Sequence, residues 1–161
     1  MKKFIPEIFS PSEIQKFPTF ILRKLTADDV HIDYLAAMSS VDIIKKIRGG
    51  NWPTPNLTEK DDFIDLCWHQ REFEYKISFA YIILSLDQKE SLGCIYIYPP
   101  DKPWINAPDG TDAVVNMWVT QKEYDKGFYP VLFGTIKIWI EKEWPFKSVF
   151  YSNKEIPKEL S

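Results

Sequence analysis

The stretch from 111 to 151 constrains this chain more than any other. Thr111 to Thr120 is a β-type run in which Val114, Val115, Met117, Trp118 and Val119 give a mostly buried strand pattern. Pro130 then stands where a first helical residue loses nothing by lacking an N–H. Leu132, Ile136, Trp139 and Ile140 follow at helical spacing, and the pattern ends near Trp144-Pro145. Ser148 to Tyr151 is β-like again. Antiparallel neighbours need only a short turn, whereas a helix between two strands returns the chain to run parallel. A βαβ-like unit with one parallel strand pair is therefore expected.

Upstream, Phe20 to Leu25 reads as a strand and Thr26-Ala27-Asp28-Asp29 as a helix N-cap. Val30, Tyr34, Leu35, Met38 and Val41 supply an apolar face assigned to the core, in a helix fading near Gly49-Gly50. After the turn-rich Asn51-Trp52-Pro53-Thr54-Pro55, the capping box Thr58-Glu59-Lys60-Asp61 opens a second helix through about Tyr75. The acids Asp28, Asp29, Asp61 and Asp62 suit helix N-termini for structural reasons alone. Ile77 to Leu86 and Leu92 to Tyr98, joined by Asp87-Gln88-Lys89-Glu90, form a hairpin. Pro99 to Gly110 holds four prolines and reads as a loop beside a site. Residues 1–19 read as an ordered but irregular arm laid over the surface, 20–153 as the core and 154–161 as a tail, all within one 161-residue domain. The fold class is α/β (α+β): a mixed, mostly antiparallel sheet with a parallel pair and helices on both faces.

Composition excludes several partners. With 20 basic and 23 acidic residues the net charge is −3, which offers no field for phosphate backbones, so nucleic acid is not expected. No stretch is apolar enough for a membrane span, and Pro6 and Glu7 interrupt the N-terminus before a signal-peptide core forms. Cys67 and Cys94 read as free, buried, structural thiols in a cytoplasmic protein. With His31 and His69 as the two histidines and no ligand spacing, no metal is expected.

The element order over 20–153 resembles the GNAT-type N-acetyltransferases, and the stretches 32–38, Phe79-Ala80-Tyr81, Gly93-Cys94-Ile95-Tyr96-Ile97 and Trp144-Pro145-Phe146 look like a bacterial branch of that superfamily. The resemblance implies acetyl-CoA as cosubstrate, without metal, and a small-molecule or peptide amine as acceptor. It implies that pantetheine enters between the strands Thr111–Thr120 and Ser148–Tyr151, beside Met117, Trp118 and Val119, whose backbone N–H groups would hold the thioester oxygen. It implies too that pyrophosphate rests on the loop Gln121–Tyr129 before the helix, where amides and the helix dipole attract anions.

The family loop, Gln/Arg-x-x-Gly-x-Gly/Ala, is degenerate here: Tyr124-Asp125-Lys126-Gly127-Phe128-Tyr129 keeps only Gly127, which is also read as an ordinary turn glycine. Lys126 is placed to pair with phosphate, with Phe128 beside it, while Tyr129 brings bulk where a small residue is usual. Among catalytic candidates the resemblance points to Asp112 for the amine proton and Tyr151 for the departing thiolate, and Asn153 matches a cofactor-contacting asparagine. Asn116, a polar residue inside an apolar strand, lines a cleft or is a satisfied structural amide. Acceptor choice is assigned to 48–57 and 99–110, with Trp52 and Trp104 as apolar walls or as pins for their loops.

A short C-terminal region implies an open sheet edge, to be covered by a homodimer or by the N-terminal arm. Three readings follow: an N-acetyltransferase acting on a primary amine; the same fold as a non-catalytic ligand-binding or protein-interaction module; and a cone-shaped α+β domain, which requires 111–120 and 148–151 to be antiparallel.

Overall fold

The computed structural model describes residues 3–158. The arm residues 1–2 and the tail residues 159–161 lie outside them. Six strands form one sheet in chain order: β1 (Ile14–Lys16), β2 (Ile21–Lys24), β3 (Phe79–Leu84), β4 (Ser91–Tyr98), β5 (Ala113–Val119) and β6 (Val149–Tyr151). Neighbours from β1 to β5 are antiparallel, and β5 and β6 are parallel, with Ala113, Val114 and Val115 opposite Val149, Phe150 and Tyr151. The parallel pair excludes the cone-shaped alternative. The helix between these strands dictates it, as the sequence pattern anticipates.

The described residues form five α-helices, α1 (Val30–Met38), α2 (Val41–Arg48), α3 (Glu59–Glu74), α4 (Gln121–Asp125) and α5 (Phe128–Glu143), with the short α4 packed on α2 and α5 rather than on the sheet. Side chains alternate across a strand, so cross-strand contacts identify the faces. α1 and α3 meet the face bearing Cys94 and Tyr96, through Asp33 on Cys94 and His69 on Tyr96. α5 meets the face bearing Tyr81 and Tyr151, through Trp139 and Phe133. On α5, Leu132, Ile136, Trp139 and Ile140 are buried as their spacing requires. Each such side chain contributes roughly 1.5–3 kcal/mol on leaving water.

Several expectations are corrected. The arm is not wholly irregular: residues 14–16 pair with β2 as an edge strand, a run too short to display a period. Its aromatics lie on the core, Phe4 stacking on Phe79 and Phe146 and Phe9 against Trp144. The arm therefore covers the β1 side and one aromatic face, not the outer edge of β6. The single helix expected from Val30 to about Gly49 is two. Ser39 Oγ donates to the Ala36 carbonyl, and Ser40 Oγ accepts from the Gln121 N–H, so hydroxyls compete with helix continuation here. Nor is the whole apolar stripe of α1 core: Val30 packs against it, but Leu35 is 55% exposed while Asp33, Ala36 and Ala37 turn inward. The loop expected over 121–129 contains α4, capped by Thr120 Oγ1 accepting from the Glu123 N–H, and α5 starts at Phe128 rather than Pro130.

One glycine fixes how closely β4 and β5 approach. Gly93 has φ 152°, and a Cβ there would stand 1.9 Å from the Trp118 carbonyl oxygen. No helix among the described residues is long and apolar enough to cross a membrane.

Candidate functional site

Past Val115 the parallel pair separates. The Ser152 N–H still donates to the Val115 carbonyl at 3.0 Å, but the next strand positions on β5 find no backbone partner on β6. Asn153 takes their place with its side chain. Its Oδ1 accepts from the Met117 N–H at 3.1 Å and its Nδ2 donates to the Met117 carbonyl at 2.8 Å, so one carboxamide imitates a strand residue. The same Nδ2 reaches the Tyr129 hydroxyl at 3.1 Å and the Ile47 carbonyl at 3.4 Å. Tyr129 in turn donates to the Glu155 carbonyl, and the Glu155 N–H donates to Ile47. Burial pushes the Tyr129 phenol up, so it stays protonated and donating.

The outer rim of this gap is polar and closed. Tyr124 donates to Glu155 Oε1 at 3.0 Å, and Lys46 Nζ donates to the Tyr124 hydroxyl at 3.0 Å. Gly127 caps α5 with φ 80°, a left-handed conformation that suits glycine, and a Cβ there would meet nothing within 4 Å. Lys126 pairs with Glu123 at 3.3 Å on the surface, and Phe128 packs against Phe20.

The remaining sequence candidates do not converge. Asp112 Oδ2 accepts from the Lys147 and Ser148 N–H groups at 2.9 and 3.0 Å, tying the start of β5 to β6. Tyr151 faces α5, its ring 5.0 Å from Phe133, and burial raises its phenol. Asn116 faces the opposite side, opposite Tyr96, with Nδ2 donating to Ser152 Oγ at 2.9 Å; its buried Oδ1 has no partner. Met117 presents its backbone to the gap. Trp118 sends its indole to the α3 side, where Nε1 donates to the Tyr96 hydroxyl at 3.0 Å, and Val119 lies opposite Gly93.

On that α3 side the structure brings the two segments assigned to acceptor choice into one pocket. Arg48 and Trp52 from the first and Trp104 from the second meet Asp65, Trp68, His69 and Glu72 of α3 and Tyr96 and Tyr98 of β4, around a cavity of about 270 Å³. Trp52 packs on Trp118, ring centroids 5.8 Å apart, which links the pocket to β5. The His69 ring lies on Tyr96, and its Nε2 is 3.7 Å from Asp65 Oδ2. Sequence reasoning named the two loops but missed the α3 members of this set, although a signal existed. Positions 65, 68, 69 and 72 recur at helical spacing, so a mixed charged and aromatic stripe runs along one side of α3 and lines the pocket.

Behind the pocket lies a buried acid pair. Asp61 caps α3 through Thr58 as expected of a helix N-terminus, but Asp62 turns inward beside Asp33. Burial pushes the Asp33 carboxyl up to about 6; burial and then the Asp33 charge push Asp62 to about 8. Two bare carboxylates would repel here, and neither buried Asp62 oxygen has a hydrogen-bond partner, so burial and repulsion favour one retained proton on the pair at neutral pH.

No protein-family model matches the sequence, and no curated protein matches it. Solved structures do. The chain is similar to the ribosomal-protein-S5-alanine acetyltransferase from Vibrio fischeri, with TM-score 0.60 and 11% identity over 81% of this chain and 68% of that one. It is similar to RimL, a ribosomal L7/L12 alpha-N-protein acetyltransferase in complex with coenzyme A, with TM-score 0.59 and 14% identity over 79% and 67%. An acetyltransferase of the GNAT family from Bacillus anthracis gives TM-score 0.52 and 16% identity over 80% and 67%. At these identities the likeness is one of fold: the protein has the GNAT acetyltransferase fold.

Proposed function

We propose that this protein moves an acetyl group from acetyl-CoA to a primary amine. The observation that carries the reading is the gap beside β5, where the Met117 N–H and C=O are held by a rotatable side-chain amide instead of a strand. An extended pantetheine chain can replace that amide bond for bond, and the Met117 N–H would then stabilise the thioester oxygen as charge develops on it. The Phe128 and Tyr129 amides at the start of α5, with Lys126 and Gly127, would receive the pyrophosphate, and the Trp118 and Val119 backbone would continue the pantetheine contact. Asn153 would turn to bond the ligand it admits.

The amine enters from the aromatic pocket. His69, stacked on Tyr96, accepts a proton from the neutral amine as its nitrogen attacks the thioester carbon; the C–N bond forms, the C–S bond breaks, and CoA leaves as a thiolate protonated by Tyr151 or water. Asn116 orients the amine, and Asp112 holds the start of β5 in register with β6. Both cysteines are free thiols, Cys94 buried as expected and Cys67 exposed on α3 instead, which suits a cytoplasmic setting, and a second copy would pair along the outer edge of β6, which light scattering tests.

A second reading has its own observation in favour. Tyr129 is 1% exposed and occupies the second small position of the family loop, where its ring takes space a phosphate would need. On that reading the fold is a non-catalytic binding or interaction module. Calorimetric titration of acetyl-CoA and CoA, into wild type and a Gly127→Trp variant that crowds the loop, separates the two. Binding in wild type that is lost in the variant supports transfer; no heat at millimolar acetyl-CoA supports the module.

A further inference from the structure

The aromatic pocket contains a cation without a counter-ion. Arg48 ends α2 and lays its guanidinium against two rings, Trp52 at 5.6 Å and Tyr96 at 5.7 Å. Among the described residues it makes no ion pair, and its buried Nε has no hydrogen-bond partner. Tyr96, Tyr98, His69, Asp65 and Glu72 line the same cavity without closing on the guanidinium as an ion pair. A guanidinium packed against rings still presents N–H groups in its plane, in the fork that fits a carboxylate.

The same cavity holds acids with spare acceptor capacity. Asp65 stands 3.7 Å from His69, and Glu72 stands 3.8 Å from Lys102 while accepting from Ser78. Both ion-pair distances exceed hydrogen-bond length, and a carboxylate accepts at about four sites. Trp68 and Trp104, 58% and 69% exposed, add apolar walls at the mouth. A volume of about 270 Å³ falls just below the roughly 300 Å³ at which pockets for drug-sized molecules begin, so the occupant is small.

We infer that this pocket binds a free α-amino acid with an aromatic or other apolar side chain, its carboxylate on Arg48, its ammonium at Asp65 and Glu72, and its side chain between the tryptophans. The inference rests on the acetyl-transfer reading only for the fate of the amine; binding itself needs no acetyl-CoA. It favours a free amino acid over a protein N-terminus, whose first residue has no carboxylate for Arg48.

The test uses the full chain without acetyl-CoA and three probes: L-phenylalanine, phenethylamine, which lacks the carboxylate, and 3-phenylpropionate, which lacks the amine. L-Phenylalanine is expected to bind at least about tenfold more tightly than either relative, since each lacks one charge-assisted contact. Arg48→Met should weaken L-phenylalanine and 3-phenylpropionate by about tenfold or more and leave phenethylamine unchanged, with circular dichroism confirming the fold. Arg48→Lys should restore only part of the affinity, because an ammonium lacks the fork. Equal binding of phenethylamine and L-phenylalanine, or no binding of any probe at millimolar concentration, overturns the inference. A parallel acetyl-CoA titration keeps the two claims apart: a protein that binds L-phenylalanine but not acetyl-CoA loses the transfer and keeps this site, and one that binds acetyl-CoA but none of the three probes does the opposite.

Discussion

The gap beside β5 and the pocket under α3 lie next to each other, joined through Trp118, yet their polar groups are treated in opposite ways. In the gap, Met117, Asn153, Tyr129, Glu155 and Ile47 close a ring of hydrogen bonds in which the Met117 backbone pair and the Asn153 amide are satisfied. In and around the pocket, Arg48 Nε and Asn116 Oδ1 are buried and unpartnered. Leaving a buried polar group unpaired costs about 1–3 kcal/mol, so a fold retains such groups where a ligand completes them. The first region is built to hold itself together, the second to hold something else.

Substitutions can break that contrast, beginning with the largest effect. Asn153→Ala leaves the Met117 N–H and C=O without partners and should cost roughly 2–4 kcal/mol, read by urea denaturation. A loss under about 0.5 kcal/mol would mean that water fills the gap and that Asn153 does not close it.

Next comes the acid pair, where the sign is opposite. Asp62 has its folded pKa raised from 3.8 to about 8, so the folded state binds the proton more tightly than the unfolded chain. The resulting stability is fully present below about pH 4 and is lost as pH rises through 8. Asp62→Asn, which is neutral throughout, should flatten that slope and raise stability at pH 8 by at least about 1 kcal/mol, or roughly 2–4 °C in melting temperature. A wild-type stability that is constant between pH 5 and 8 would contradict the retained proton.

Tyr129→Phe removes one hydroxyl from the ring and should cost about 1 kcal/mol. Smaller still, Arg48→Met should shift stability by less than about 1 kcal/mol, because the lost cation–ring contacts are offset by an apolar side chain packed on the Trp52 and Tyr96 rings. A large loss at Arg48 would make it a structural strut and weaken the contrast.

Much of the sheet was legible in the sequence because its signals are local. Pro130 with the spaced Leu132, Ile136, Trp139 and Ile140 announced α5, and that helix dictated the parallel β5–β6 pair. What escaped depends on contacts distant in sequence. The break at Ser39–Ser40 is set by Gln121, far along the chain, and three residues at Ile14–Lys16 become a strand only because β2 lies beside them. For the site, Asn153 and Tyr129 were named from resemblance, but that they bond each other across the gap follows from tertiary geometry alone. Arg48, His69 and Glu72 carried no motif. Their meaning lies in which rings and acids surround them.

The measurement that bears most directly on the gap is the amide resonance of Met117 in a 15N-labelled sample titrated with acetyl-CoA. If pantetheine replaces Asn153, the Met117 N–H and the Asn153 side-chain NH2 signals shift together and saturate at one dissociation constant. If millimolar acetyl-CoA leaves both unmoved, the gap is a sealed part of the fold and the acetyl-transfer reading is wrong.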